Sequence, residues 1–459
     1  MYLCAMIMHS TDTIAAIATP SGAGAIGVIR LSGSDAFSIL SQAWKGKSLR
    51  EAAPNSLLYG HILDEDNAIL DEVVLSIFRA PHSYTKEDTI EISCHGSAYI
   101  LQQLMRRLLR LGARQAEAGE FTQRAFLNGR FDLAQAEAVA DIIASASGRS
   151  HRIAMAQLRG GVSKDIAQLR EELVHFASLI ELELDFGEED VEFASRDDLK
   201  NLIEKIKLHI QKLIASFAYG NAIKKGVPVA IVGKPNAGKS TLLNALLNEE
   251  KAIVSDIAGT TRDVVEDVLQ IEGIHFRLMD TAGLRETTDV VEAIGVERTL
   301  ERMRLSSIIL YLFDLQSENE NEVKQTLAEY KESYKDATVI PVANKADMGL
   351  ADMDIEGLIF ISAKNKEGIG ELSRLMVEAS GAHKFNDEDV IISNIRHVAA
   401  LESALEFLDK ALLGVEGGLS GDFVAMDIRS ALRYLGEITG HVDVEELLGN
   451  IFSKFCIGK

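Results

Sequence analysis

The sequence predicts a multidomain protein joining α/β and α+β architecture: an N-terminal α+β domain, an all-α helical domain, and an α/β domain inserted within the helical one. Three textures of the chain predict it. Residues 11–118 alternate short β-like runs with glycine turns, residues 119–222 and those beyond about 394 carry apolar side chains at helical period, and the stretch between alternates apolar strands with helices. A chain of 459 residues is too long for one core and divides into roughly two to four domains. The expected boundaries are 1–118, 119–222, 223–382 and 383–459. Because the α/β segment lies between two helical stretches, the helical parts are expected to form one domain that the chain leaves and re-enters at neighbouring points.

In the first segment, residues 14–18, 25–31, 73–78 and 89–94 read as strands, and 34–44 and 97–111 as helices. In the helical part, Ser195 with Asp198 resembles a capping box, in which a hydroxyl satisfies an N–H that the first turn leaves unpaired. Leu199, Leu202, Ile203, Ile206, Ile210 and Leu213 then fall on one stripe, and Val398, Leu401, Leu405, Leu408 and Leu412 on another.

The α/β segment carries the chemistry. Gly233-Lys234-Pro235-Asn236-Ala237-Gly238-Lys239-Ser240 fits G-x-x-x-x-G-K-[ST], with an apolar run before it and the helix-like Ser240-Thr241-Leu242-Leu243 after it. Strand, glycine loop and helix is the context that this phosphate loop requires. Its backbone N–H groups and helix N-terminus suit a phosphate, Lys239 the β- and γ-phosphates, and the Ser240 hydroxyl Mg²⁺. Asp280-Thr281-Ala282-Gly283 ends an apolar strand, where a carboxylate holds Mg²⁺ through water and the Gly283 N–H reaches a γ-phosphate. Asn344-Lys345-Ala346-Asp347 ends another, and the Asp347 carboxylate matches the N1–H and N2–H₂ of guanine, which adenine lacks. Ser362-Ala363-Lys364 suits a loop closing over the base. Any one of these alone reads as an ordinary turn. Four in order at strand ends specify a Ras-like P-loop GTPase domain and exclude an ATPase or kinase.

Many small GTPases place a glutamine after the Asp-Thr-Ala-Gly segment to orient the attacking water. Here the residue is Leu284, which cannot do so. Glu286, Asp289, Glu292 and Glu297 follow, each also readable as a solvated carboxylate on a helix face. Asn236, beside the oxygen-rich Ser255-Asp256-Ile257-Ala258-Gly259-Thr260-Thr261, suits a monovalent cation site in place of an arginine finger. Thr261 suits a second Mg²⁺ contact, and Arg262 reads equally as a finger or a surface residue.

Composition bounds the rest. With 47% hydrophobic and 25% charged residues the chain reads as a soluble globular protein. Its three cysteines, Cys4, Cys94 and Cys456, are far apart, which excludes a disulfide scaffold and a Cys-rich zinc site and suits a reducing, cytoplasmic compartment. No apolar run is long enough to span a membrane, and residues 1–8 read as an extra leader or mis-assigned start rather than a signal. A net charge of −22 argues against tight independent binding of nucleic acid, although the acidity also serves solubility.

Beyond these motifs, the chain resembles the MnmE (TrmE) family of tRNA-modification GTPases over almost its whole length. Residues 12–16 and 26–33 look like the family's folate-binding domain. Gly119-Glu120-Phe121-Thr122-Gln123-Arg124-Ala125-Phe126 and residues 132–138 look like its most recognisable signature, and the chain ends in Cys456-Ile457-Gly458-Lys459. Ala118, Ser97 and Ser255 stand where proline, glycine and threonine are usual, and Arg130 where some members carry lysine.

The resemblance implies a homodimer joined through the N-terminal domains, and potassium-stimulated GTP hydrolysis with association of the two GTPase domains. It places K⁺ on Asn236, Ser255, Ile257 and Thr260, and Mg²⁺ on Ser240 and Thr261. Glu292 would position the water, and Arg30, Glu91, Arg130 and Lys459 would contact a 5-formyl-tetrahydrofolate. It implies a flavin-dependent partner, MnmG, in a heterotetramer or larger complex that supplies FAD and much of the tRNA contact. The product is an aminomethyl or carboxymethylaminomethyl group at C5 of the wobble uridine. Cys456 reads either as a nucleophile toward uridine C6 or as a packed apolar residue. A regulatory or ribosome-assembly GTPase of the Era and Der type is the alternative reading.

Overall fold

The computed structural model describes residues 12–185, 195–249, 267–279, 300–349, 353–381, 389–441, 451–452, 455 and 458. The chain forms two compact units. The first gathers Met1–Ala140, Gln157–His175 and Leu432–Lys459, and the second Asp141–Ala156 and Phe176–Ala431.

The first unit is built on a seven-stranded sheet: β1 (Ile14–Ile17), β2 (Ile26–Ser32), β3 (Trp44–Lys45), β4 (Ser56–Leu63), β5 (Ile69–Phe78), β6 (Thr89–His95) and β7 (Arg114–Gln115), in the order β3-β4-β5-β6-β2-β1-β7. Every pairing is antiparallel except β1 with β7. Two helices, α1 (Ala36–Ser41) and α2 (Ala98–Arg110), share a core with the sheet. In α2, Leu101, Leu104 and Leu108 are the buried stripe, and the arginines of its last turn suit the negative end of the helix dipole. A separate cluster holds Ile14, Ala16, Ala116 and Phe121.

Phe121 comes from α3 (Glu120–Leu127), whose start carries a buried ionic network. Arg124 is 5% exposed and donates to Asp12 Oδ1 at 2.6 Å and to Glu120 Oε1 at 2.9 Å, and it pairs with Glu87 at 3.2 Å. Arg114 joins the same two carboxylates, Asp12 and Glu120. Burial by itself raises the pKa of Asp12 and Glu120, but the guanidinium hydrogen bonds outweigh it and both end below their ordinary values. The C-terminal segment also belongs to this unit: Phe452 packs on Leu133 and Ala136, and Gly458 lies against Ile17 and Ala18.

The second unit contains a six-stranded sheet: β8 (Val227–Val232), β9 (Asp267–Ile271), β10 (Ile274–Leu278), β11 (Ile308–Asp314), β12 (Thr338–Asn344) and β13 (Ile359–Phe360), in the order β13-β12-β11-β8-β10-β9. All pairings are parallel except β9 with β10. β11 carries no motif of its own, yet it lies between β8 and β12. Its unbroken apolar run is what burial on both faces demands: Ile308, Leu310 and Leu312 join one core, Ile309, Tyr311 and Phe313 another.

The long helix of this unit, Arg196–Lys225, starts as expected, with the Ser195 hydroxyl accepting from the Asp198 N–H at 3.4 Å. Leu199, Ile203, Ile206, Ile210 and Leu213 are its buried stripe, and Leu202 flanks it. The helix packs on Ile395–Glu416, where the centre of the stripe differs from the expected leucines. Val398, Leu401 and Leu408 are buried with Ala404 and Ala411, while Leu405 and Leu412 are half-buried.

The ionic network dictates an acid response. Because the folded carboxylates of Asp12 and Glu120 have depressed pKa values, their contribution is fully present above the ordinary carboxylate range. It is lost as pH falls from about 5 through the folded-state values. Trp44 is the one tryptophan of the chain and lies in the first unit, so its fluorescence follows that unit alone. Arg124→Met is expected to cost about 3 kcal/mol by leaving the buried Glu120 and the half-buried Asp12 and Glu87 under-paired. In urea titrations followed by Trp44, the difference from wild type should shrink between pH 7 and pH 4.

Candidate functional site

Three loops meet at the ends of β8, β12 and β13. The phosphate loop leaves β8 at Gly233 and enters the helix Lys239–Glu249. Gly233 has φ +154°, and a Cβ there would lie 1.9 Å from the Leu312 carbonyl oxygen of β11. Gly238 has φ +96°, and a Cβ there would lie 2.2 Å from Asn344 Nδ2. Both positions therefore require glycine. Asn236, at the exposed crest, is left-handed with φ +65°, a conformation that asparagine tolerates better than most residues.

Asn344, the last residue of β12, joins the loops. It is 3% exposed; its Nδ2 donates to the Ala237 carbonyl at 2.8 Å and its Oδ1 accepts from the Ala363 N–H at 3.0 Å. One amide thus ties the phosphate loop to the Ser362-Ala363-Lys364 loop. Asp347 is exposed and accepts from the Ser362 hydroxyl at 2.7 Å, and that hydroxyl in turn accepts from the Asn365 N–H at 3.2 Å. The Ala346 N–H donates to the Ile361 carbonyl at 3.1 Å, fixing one turn against the other. Lys345 has φ +67° and donates to Asp314 Oδ2 at 2.6 Å. Burial pushes the Asp314 pKa up, but the bonds from Lys345 and from the Gln316 N–H prevail and lower it.

Lys239 is half-buried, and its ammonium donates to the carbonyls of Gly233 at 2.7 Å and Lys234 at 2.9 Å. Desolvation lowers its pKa. A desolvated cation held by two neutral carbonyls gains from an anion brought within reach, which is what a phosphate-binding lysine needs. Ser240, Thr241 and Lys364 are exposed. The oxygens of Asn236 and Ser240 are of the type that hard cations take, so these two residues fit the expected K⁺ and Mg²⁺.

Ser255, Asp256, Ile257, Ala258, Gly259, Thr260, Thr261, Asp280, Thr281, Ala282, Gly283 and Glu292 lie outside the described residues, as do Cys456 and Lys459. Among the described residues no group of three or more His, Cys, Asp or Glu side chains is placed to hold a metal. Nor is any described helix long and apolar enough to cross a membrane.

A second candidate site lies within the first unit. A cleft of about 530 Å³ is lined by Arg30, Glu91 and Arg130 together with Asn55, His82, Tyr84 and Lys86. The sequence brought the first three together only through resemblance. The Arg30 guanidinium donates twice to Glu91 Oε1, at 2.9 and 2.8 Å, and lies over the rings of Tyr84 and Phe121 at 5.1 and 5.4 Å. Arg130 lies over Tyr84 and Phe131 at 5.1 Å and donates to the Ser83 carbonyl. The Tyr84 hydroxyl is fixed at 2.9 Å from the Thr122 hydroxyl. The neighbours of Tyr84 in sequence carry no motif, and the approach of both arginines to its ring is a tertiary fact. The cleft has the size of a small-molecule site and combines cations, one carboxylate and aromatic faces. A planar, hydrogen-bonding, negatively charged ligand meets those three needs.

The sequence matches the family models described as GTP-binding protein TrmE N-terminus, over residues 13–130, and MnmE helical domain, over residues 133–456. It is 54% identical to the tRNA modification GTPase MnmE of Cytophaga hutchinsonii over 458 residues, 99% of either chain. It is 52% identical to that of Flavobacterium johnsoniae over 467 residues, 98% of this chain and 100% of the other. Among solved structures, Era of Aquifex aeolicus aligns with 39% of this chain and 65% of its own at 28% identity, with a TM-score of 0.27.

Asn344→Ala removes both loop bonds at once and strands the Ala237 carbonyl and the Ala363 N–H in a buried site. The expected loss is about 2 kcal/mol, or roughly 30-fold in affinity for guanine nucleotides. Titration with a fluorescent GDP analogue measures it.

Proposed function

Because the chain belongs to the MnmE family of tRNA modification GTPases, we propose that it hydrolyses GTP in a potassium-stimulated cycle coupled to modification of the wobble uridine of certain tRNAs. It does so in the cytoplasm as a homodimer with a flavin-dependent partner, MnmG, in a heterotetramer or larger complex, and FAD enters through that partner alone. An aminomethyl or carboxymethylaminomethyl group is added at C5, with its carbon drawn from a one-carbon tetrahydrofolate. In this reading residues 1–118 serve folate and dimerisation, 119–222 and 383–459 form the helical domain, and 223–382 bind GTP.

The Asn344 bridge between the phosphate and base loops carries the nucleotide half of this reading. Lys239 exchanges its carbonyl partners for the β- and γ-phosphates, and Asp347, oriented by Ser362, accepts the guanine N1–H and N2–H₂. Ser240 and Thr261 hold Mg²⁺. Asn236, Ser255, Ile257 and Thr260 hold K⁺, which supplies positive charge where phosphate charge develops. Leu284 cannot orient water, and Glu292 takes that part.

The cleft supports the folate half. Glu91 suits the donor edge of a pterin, and Arg30 and Arg130, whose guanidinium groups already lie over the Tyr84 ring, suit carboxylates. Lys459 is proposed with them, since Gly458 already lies against the end of β1 in the same unit. Leu57 and Tyr59 on β4 and Val74 on β5 are exposed apolar neighbours in a sheet, a surface suited to self-association. The Era and Der alternative is disfavoured because the family match extends through the N-terminal and helical segments.

Potassium is expected to raise kcat for GTP at least tenfold over sodium, and Asn236→Ala to abolish that difference. Equal wild-type rates in both salts would sink the cation site. Arg130→Ala is expected to weaken 5-formyl-tetrahydrofolate binding at least tenfold while GTP turnover persists. Mass spectrometry of tRNA from cells whose only copy carries Arg130→Ala should then find the wobble uridine unmodified.

A further inference from the structure

We propose that the loop leaving β11 organises the nucleotide site from outside it, with Asp314 and Glu318 as positioning residues that hold Lys345 and Lys234, one lysine from each of the two principal nucleotide loops. The proposal rests on the GTP-site reading above.

The loop is short and internally fixed. The Gln316 N–H donates to Asp314 Oδ1 at 3.0 Å, and the Ser317 and Glu318 N–H groups donate to the Asp314 carbonyl at 3.1 and 3.2 Å. Asp314 Oδ2 then receives the Lys345 ammonium at 2.6 Å. Four residues on, the Glu318 side chain is 2% exposed and its Oε2 lies 3.2 Å from Lys234 Nζ. The same oxygen accepts from the Tyr311 hydroxyl at 3.1 Å, which anchors the carboxylate to β11 itself. Glu322, on the first turn of the helix Glu320–Ser333, adds a second contact to Lys234 at 3.1 Å.

These contacts act on the parts that matter for binding. Lys234 is the second residue of the phosphate loop, and its carbonyl is one of the two resting partners of Lys239. Lys345 sits in a left-handed conformation between Asn344 and the base-selecting Asp347. Losing either ion pair frees a loop that must otherwise stay closed around phosphate or base, so affinity falls while the chemistry of the bound complex changes little. Glu318 Oε1 is buried without a partner among the described residues. A carboxylate kept inside at that cost marks an electrostatic task that a neutral side chain would not perform.

The alternative is a purely structural staple between β11 and the helix that follows. The test separates the two in the full-length chain with GTP and a fluorescent GDP analogue. Lys234→Met, at a surface position, and Glu318→Gln are each expected to raise Kd and KM roughly fivefold, with kcat within twofold of wild type. The double variant should be no weaker than Lys234→Met alone, because that variant already removes the pair with Glu318 as well as the contact with Glu322. Lys234→Arg should restore the affinity, and Asp314→Asn should raise Kd by a similar factor independently. Wild-type Kd in Lys234→Met and Asp314→Asn overturns the proposal, as does a loss confined to Tm or kcat. If the wild-type chain binds no guanine nucleotide, the GTP-site reading itself fails.

Discussion

The side-chain amide of Asn344 is buried, and both its ends are committed, one to the phosphate loop and one to the loop after β13. Much of the nucleotide site follows from that geometry. Gly238 must be glycine because its missing Cβ is where the amide nitrogen lies, and Gly233 because the phosphate loop turns directly over the β11 backbone. A parallel sheet makes such an arrangement possible, since β8, β12 and β13 end on the same side and deliver their loops to one edge. A buried amide with two partners is costly to replace by any residue that satisfies only one of them.

The first unit solves a comparable problem with charge. Arg114 and Arg124 draw Asp12, Glu87 and Glu120 into one network at the start of the helix that also bears Phe121 and Thr122. Those two residues face the cleft residues, Phe121 beneath Arg30 and Thr122 bonded to Tyr84. The network therefore bears on the cleft as well as on stability. In a chain with net charge −22, Arg30, Lys86 and Arg130 around one cleft are a local reversal of sign, and a negatively charged small ligand is more readily served there than a polyanion along the whole surface.

Legibility in the sequence varied with the physics behind each element. Strands β2 and β6 were readable because their apolar runs end at glycine or polar turns. β4 was not, because Gly60 and His61 interrupt its run and Leu57 and Tyr59 face outward. β11 is apolar as far as Phe313 but carries no phosphate- or base-binding motif. Asp314 and Glu318, which it leads to, have partners far away in sequence and so leave no local spacing to detect.

By itself the sequence determined the nucleotide loops, their order and the selectivity for guanine, because those depend on short stretches whose glycine, lysine and carboxylate positions are dictated by the phosphate and the base. It also carried the family likeness through the long signature around Gly119 and Glu120. Only the tertiary structure decided which side chains hold those loops in place, how Arg30 and Arg130 come over the Tyr84 ring, and which residues of the helix Ile395–Glu416 are buried. Such features join residues tens to hundreds of positions apart, and their energy depends on burial and distance that no local pattern encodes.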